Sequence, residues 1–123
     1  MLKRVVGMFL ACGVLGRAAD LGAIEYGKQL VSEVAKCGDC HTPSKTSGEF
    51  DRSKWLKGAR RPKVSPDLTR SGQLFRQWGE QGMIRFLETG LDPAGHAAAS
   101  HMPAYKLRPD DAEAIVAYLK TLK

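Results

Sequence analysis

The chain has 123 residues, a formal net charge of +6 and only 7% aromatic side chains. It contains no internal repeat and no long run of Val, Ile, Tyr or Thr, so neither several domains nor a β-rich fold is expected. The side-chain core of so short a chain would be thin. An embedded apolar cofactor would supply buried surface that these residues lack.

The N-terminal segment is interpreted as a secretory signal peptide. Lys3 and Arg4 form a charged start, and residues 5–16 are an apolar run too short to cross a bilayer comfortably. Small residues then precede a cleavage site predicted between Ala18 and Ala19. This interpretation places the mature protein in the periplasm or another extracytoplasmic compartment.

Cleavage there would leave residues 19–123 as a single domain. It removes three cations and no acid, which lowers the formal charge from +6 to +3, and it removes Cys12. One alternative is a lipoprotein signal in which Cys12 is lipidated, and this would anchor the chain to a membrane. A second alternative is that residues 1–18 form a buried N-terminal helix.

The first helical pattern covers residues 21–36, where apolar positions recur on one face. Asp20 is the predicted N-cap, and Gly38 and Pro43 are predicted to end the helix just past the two cysteines. The next 36 residues, 42–77, are rich in Gly, Pro, Ser and charge. A structureless stretch of this length is uncommon in a compact domain, so we expect it to wrap a rigid ligand.

Two further helices are predicted, and the pattern as a whole indicates an all-α fold. A short helix over residues 80–89 should end at Gly90 in the left-handed conformation. The loop over residues 91–106 follows. The last helix should begin at Pro109, with acidic side chains in its first turn. Its predicted buried face comprises Ala112, Ile115, Val116, Leu119 and Leu122.

The run CGDCH at 37–41 is a haem-attachment signature. Cys37 and Cys40, three residues apart on a helical turn, can reach the two vinyl groups at one edge of a porphyrin and form thioethers. The next residue, His41, would then lie under the iron and present a ring nitrogen to it. One covalent haem c is therefore the predicted cofactor.

Two other interpretations of this run are weaker. A thioredoxin-type redox pair would need a strand before the cysteines, and a helical pattern precedes them instead. A zinc site could combine Cys37 and Cys40 with His96 and His101. Its spacing far exceeds that of zinc fingers, and it would leave His41 without a role.

Met102 is the predicted sixth iron ligand. It lies in a polar loop, and Pro103 stiffens the chain beside it. A thioether sulfur suits ferrous iron and raises the reduction potential relative to a second histidine. Met83, on an amphipathic helix, is expected to be ordinary core. Ligation by His101 or His96, or an open iron, remain alternatives.

These residues resemble class I mono-haem cytochromes c, notably those that accept electrons from bacterial periplasmic dehydrogenases. The matching segments are Tyr26-Gly27, Leu30-Val31, CGDCHTP at 37–43, SPDLT at 65–69, Trp78, HMPAYKL at 101–107 and AIVAYLKTL at 114–122. The resemblance implies a small cytochrome c fold in which the first and last helices cross at Gly27, under Ile115 or Tyr118. It also implies that the Pro66 carbonyl accepts a hydrogen bond from His41.

The resemblance further implies contacts to the haem edge and its propionates. The candidates are Trp55, Arg60, Arg61, Thr69, Trp78 and Tyr105. One departure from the pattern is Arg108, which stands where many relatives have a Ser or Thr N-cap.

The predicted function is one-electron transfer between redox proteins, without enzymatic catalysis. Alternatives are a cytochrome subunit of a membrane-associated dehydrogenase complex and a sensor or peroxidase-like protein with an open iron. Residues 52–63 hold six cations and no acid, either a solvated surface or a docking patch for an acidic partner. We expect a monomer that binds no nucleic acid and meets a membrane only through Cys12 or a partner complex.

Overall fold

The computed structural model describes residues 13–61 and 63–123. Its α-helices are α1 (Gly13–Gln29), α2 (Gly38–His41), α3 (Gln73–Thr89) and α4 (Pro109–Leu119). A π-helical turn at Leu30–Val34 extends α1, and a 3₁₀ turn covers Arg52–Lys54. The described residues contain no strand, only three isolated β-bridges that close short loops. The all-α prediction is confirmed.

Helix α1 begins earlier than predicted. It runs from Gly13, so Asp20 lies inside the helix and the prediction that it is the N-cap is wrong for this chain. The physical reason is that residues 13–19 contain no proline and end in two alanines, so the helix continues through them. Residues 1–12, including Cys12, lie outside the described part, and the cleavage site after Ala18 stays a prediction.

The first helix also ends earlier than predicted. After the π-helical turn, Lys36 adopts the left-handed conformation with φ of 52°, and the Cys37 N–H donates to the Val31 carbonyl. Lys36 thus ends the helix in the left-handed conformation, a position that glycine usually occupies. The prediction that Gly38 and Pro43 stop this helix is wrong, because Gly38 instead starts α2.

Helix α3 is longer than predicted because residues 73–78 are also helical. The two helical parts meet at Gly79, whose φ of 67° breaks the regular backbone. The predicted segment over residues 80–89 is the second part, and Gly90 ends it in the left-handed conformation with φ of 76°, as predicted. The 42–77 segment therefore contains α3's first part and the 3₁₀ turn, in addition to loop.

The core lies where α1 and α4 pack together. Gly27 faces α4 so closely that a Cβ there would overlap the Ala114 carbonyl oxygen. Its nearest neighbours are backbone atoms of Ala114 and Ile115, whereas Tyr118 is not among them. The close approach at Gly27 is confirmed, and the glycine is needed because only its missing side chain leaves room.

Helix α4 begins at Pro109 and supplies much of the core, as predicted. Arg108 at its N-cap makes no side-chain cap bond, and Asp110 and Asp111 occupy the first turn. Ala112, Ile115, Val116 and Leu119 are buried, and Leu122 is partly buried against them. Lys120 pairs with Glu80 at 2.9 Å and ties the end of α4 to α3. Within the described residues, no helix is both long and apolar enough to cross a membrane.

Candidate haem-binding site

A cavity of about 460 Å³ opens beside α2. Five residues singled out from the sequence line it together: Cys37, Cys40, His41, Pro66 and Met102. They are separated by up to 65 positions in the chain, and the fold gathers them around one space. Its volume lies in the range of small-molecule and cofactor sites.

The remaining walls of this cavity are largely apolar. Helices α3 and α4 contribute Leu74, Trp78, Met83, Phe86, Leu87, Ile115 and Leu119, and the loop before α4 contributes Ala97, Ala98, Ala99 and Pro103. A flat apolar group with a few polar attachment points would bury its surface here, as the fit to a haem requires.

The two thiols project from the ends of one tight turn. The Cys40 N–H and the His41 N–H both donate to the Cys37 carbonyl, at 3.3 and 2.9 Å, and these bonds close the turn. Burial raises the pKa of the Cys37 thiol to about 11. A thioredoxin-type pair needs a thiol that ionises easily, so this environment does not favour that alternative.

His41 is only 7% exposed and is oriented by the chain itself. Its Nδ1 lies 2.8 Å from the Pro66 carbonyl oxygen, to which the Nδ1–H donates. This bond leaves Nε2 with its lone pair free for a metal. Burial lowers the pKa of His41, and nearby His101 lowers it further against the opposing effect of the Pro66 carbonyl. A neutral imidazole, the form that ligates metals, is thereby favoured.

Two residues that follow α2, Trp55 and Leu56, support this turn through direct contacts. The Trp55 ring covers Gly38 so closely that a Cβ on Gly38 would overlap it. The indole Nε1–H donates to the Tyr118 hydroxyl of α4 at 3.1 Å. The next residue, Leu56, is fully buried and donates its N–H to the Thr42 Oγ1 at 3.0 Å. Trp55 and Leu56 thus connect the attachment turn to α4 and to the core.

We expect Gly38→Ala to displace the Trp55 ring and lower the free energy of unfolding by about 1–3 kcal/mol, the usual cost of overpacking. Trp55→Ala removes the obstructing ring, so Gly38→Ala should cost clearly less in that background. Urea unfolding of the four members of this double-mutant cycle measures the coupling. Purely additive effects would contradict a direct Trp55–Gly38 contact.

The loop before α4 carries the Met102 side of the cavity. Met102 is partly buried, and its N–H donates to the Ala99 carbonyl at 2.9 Å. Tyr105 donates its hydroxyl to the Ala35 carbonyl at 2.9 Å and so ties this loop to the residue that follows the π-helical turn. His101 also lines the cavity, whereas His96 does not. The His96 Nδ1 lies 3.7 Å from the Asp92 Oδ2.

The other predicted contact residues divide into two groups. Trp78 and Tyr105 line the main cavity, and Arg61 lines a smaller adjoining recess of about 270 Å³. Trp55, Arg60 and Thr69 line neither space. Trp55 contacts Gly38 instead, and the fully buried Thr69 donates its hydroxyl to Asp67.

Several lining residues were not predicted from the sequence. The small side chains at 97–99 and the exposed Val64 border the cavity, and only the run of three alanines before HMP hinted at this. Met83 was assigned to the core and is buried there, yet it also lines the cavity. Two methionines therefore reach this space.

This fold does not bring together the four residues that the zinc alternative requires. Among residues 13–61 and 63–123, no three His, Cys, Asp or Glu side chains lie together as a group able to hold a metal ion. His96, which that alternative required, belongs to an exposed loop closed by the Leu91–Ala97 bridge.

Comparison with known proteins places this site in a family. Over 101 residues the chain is 31% identical to a diheme cytochrome c-type protein of Cereibacter sphaeroides, with 78% of this chain and 34% of that protein covered. Over 106 residues it is 33% identical to a fructose dehydrogenase cytochrome subunit of Gluconobacter japonicus, with 78% and 21% covered. The chain thus spans about a third and a fifth of the lengths of these two relatives.

A match to the family described as "Cytochrome c" extends over residues 24–123. It begins within α1 and includes the CGDCH turn, the Met102 loop and the whole of α4. Members of this family carry covalently bound haem c and transfer electrons. With its helical fold and its apolar cavity beside the attachment turn, the chain belongs to the cytochrome c family.

Proposed function

We propose that this chain carries single electrons on one haem c, attached through Cys37 and Cys40 and ligated by His41 and Met102. The observation that carries the proposal is the convergence of these four residues on one apolar cavity. When bound, a haem there supplies reversible Fe(III)/Fe(II) chemistry.

The chain's own residues have three tasks in this proposal. Cys37 and Cys40 fix the cofactor covalently, so that it cannot dissociate from the site. His41, held by the Pro66 carbonyl, presents a neutral ring nitrogen from a fixed direction. The apolar side chains of α3 and α4 exclude water from the iron, while the exposed Cys40 marks a side open to solvent, where electrons can enter and leave.

The test is to express the chain with the haem-maturation machinery and to measure its intact mass. We expect the mass of one haem above that of the polypeptide, and a pigment that acid-acetone does not extract. The Cys37→Ala/Cys40→Ala double variant is the control and should lose the covalent haem. Colourless wild-type protein, or haem that acid-acetone removes, would rule out the proposal.

A second candidate is a cytochrome subunit of a larger dehydrogenase. It is supported by the similarity to the fructose dehydrogenase cytochrome subunit. Co-purification of a dehydrogenase with this chain at high salt would favour the subunit, and elution as a monomer from the native source would favour the diffusing carrier.

We also propose an extracytoplasmic location after cleavage between Ala18 and Ala19. N-terminal sequencing of the secreted protein would test it directly. A first residue of Ala19 supports the proposal, whereas lipid-modified Cys12 as the first residue supports membrane anchoring instead.

The proposed docking face surrounds the cavity mouth. Val64 is 74% exposed there, and Arg61 and Lys63 border the adjoining recess together with Cys40. Apart from Lys54, none of the cations in the 52–63 segment belongs to an ion pair among the described residues. A small apolar patch beside unpaired cations suits an acidic redox partner.

We expect Arg61→Gln/Lys63→Gln to slow oxidation of the reduced protein by anionic ferricyanide roughly three- to tenfold at low ionic strength. The matched control is Arg76→Gln/Arg85→Gln, which removes the same charge from exposed positions of α3 that border neither space. Oxidation by a cationic cobalt phenanthroline complex should not be slowed. Stopped-flow rates that fall equally in both double variants would contradict a localised docking face.

A further inference from the structure

A short hairpin-like loop follows Trp55 and Leu56 in the chain. Ala59 and Ser65 exchange two backbone hydrogen bonds, of 3.0 and 2.8 Å, and close the loop between them. Gly58 and Pro66 flank this closure on its two sides. We call its described residues, 58–61 and 63–66, the clamp loop.

Both flanks of the clamp loop bind the same residue. The Gly58 N–H donates to the His41 backbone carbonyl at 2.7 Å. The Pro66 carbonyl accepts the hydrogen bond from the His41 ring at 2.8 Å. One flank therefore fixes the backbone of His41 while the other fixes its imidazole.

The two flanks can lie close together because Gly58 has no side chain. Its φ is +87°, and a Cβ there would lie 2.7 Å from the Ser65 carbonyl oxygen and 2.9 Å from the Asp67 backbone nitrogen, with the Pro66 carbonyl carbon as the next nearest atom. Real Cβ atoms essentially never approach so closely, and the obstructing atoms are backbone, which cannot rotate away. Any side chain at position 58 must displace the backbone of residues 65–67, which includes the Pro66 carbonyl group.

We infer that Gly58 is a positioning residue for His41: its missing side chain lets the Pro66 carbonyl stay within hydrogen-bond distance of the His41 ring. This inference rests on the proposed function, because it concerns how His41 acts as an iron ligand. The bond to Pro66 makes the imidazole a stronger electron donor and so favours the oxidised iron. Weakening it raises the reduction potential.

The test compares two glycines with nearly the same positive φ. Gly48 has φ of +89°, and a Cβ added there would meet nothing within 4 Å, so Gly48→Ala incurs the backbone strain of Gly58→Ala without the contact. Both variants should unfold at lower denaturant concentration. Only Gly58→Ala should raise the reduction potential, by an amount equivalent to a roughly two- to tenfold change in the equilibrium constant for reduction.

A second pair covers the case in which Gly58→Ala does not fold. Asn tolerates positive φ, so Gly58→Asn keeps the steric contact with reduced backbone strain, and Gly48→Asn is its control. In the reduced wild-type protein, the His41 Nδ1–H proton resonance should be strongly protected from exchange, and it should move in the Gly58 variants and not in the Gly48 variants.

The outcomes separate this inference from the proposed function. If the wild-type protein holds covalent haem but the potential and the Nδ1–H resonance respond equally to the Gly48 and Gly58 variants, the inference is overturned and the proposed function stands. If the wild-type protein holds no covalent haem, the proposed function itself fails.

Discussion

Gly27→Ala is expected to lower the free energy of unfolding by about 3 kcal/mol or more. The new methyl group would overlap the Ala114 carbonyl oxygen, a backbone atom of α4. Because this atom is held within a helix, α1 and α4 would have to separate to relieve the contact. Chemical denaturation of the haem-loaded protein measures the loss.

The control for this experiment is Gly22→Ala in the same helix. A Cβ at Gly22 would meet nothing within 4 Å, and alanine favours a helix over glycine by roughly 0.5–1 kcal/mol. Gly22→Ala should therefore leave the free energy of unfolding unchanged or raise it slightly, whereas Gly27→Ala should lower it. Equal effects would show that α1 and α4 do not meet at Gly27.

Met102→Ala is expected to open the iron to small ligands. If Met102 is the sixth ligand, the reduced variant should bind carbon monoxide stoichiometrically at neutral pH, whereas the wild-type protein should not. The reduction potential should fall, because a thioether ligand stabilises the ferrous state. The optical spectrum after addition of carbon monoxide provides the measurement.

The other methionine at the cavity is the matched control. Met83 also lines the cavity, but it is 4% exposed and packs in the core. Met83→Ala should cost about 2–5 kcal/mol of stability without making the iron reactive toward carbon monoxide. Carbon monoxide binding by the wild-type protein would instead favour the sensor or peroxidase-like alternative.

The parts of the fold that could be predicted have local signals. Helix α4 has a proline at its first position, acids in its first turn and a regular apolar face, and the structure has it from Pro109 to Leu119. Gly90 ends α3 as predicted because a left-handed residue there favours glycine. The attachment signature is likewise a property of five consecutive residues, and its turn lies beside the cavity.

The parts that could not be predicted depend on contacts between distant residues or on unusual backbone. Lys36 ends the first helix in a conformation for which lysine has no preference, so nothing in the local sequence marks it. The predicted long loop includes most of the segment over residues 73–78, but this segment is helical, and Gly79 separates it from the rest of α3. The placement of Trp55 on Gly38 needs the whole intervening loop.

The loop closed by the Ser44–Phe50 bridge offers a different use of this fold. Its tip, residues 45–49, is exposed, and it borders neither the cavity nor the recess. Exposed tips of this kind tolerate inserted sequence and new chain ends. A peptide tag placed there would attach the protein to an electrode without occupying the cavity or the recess.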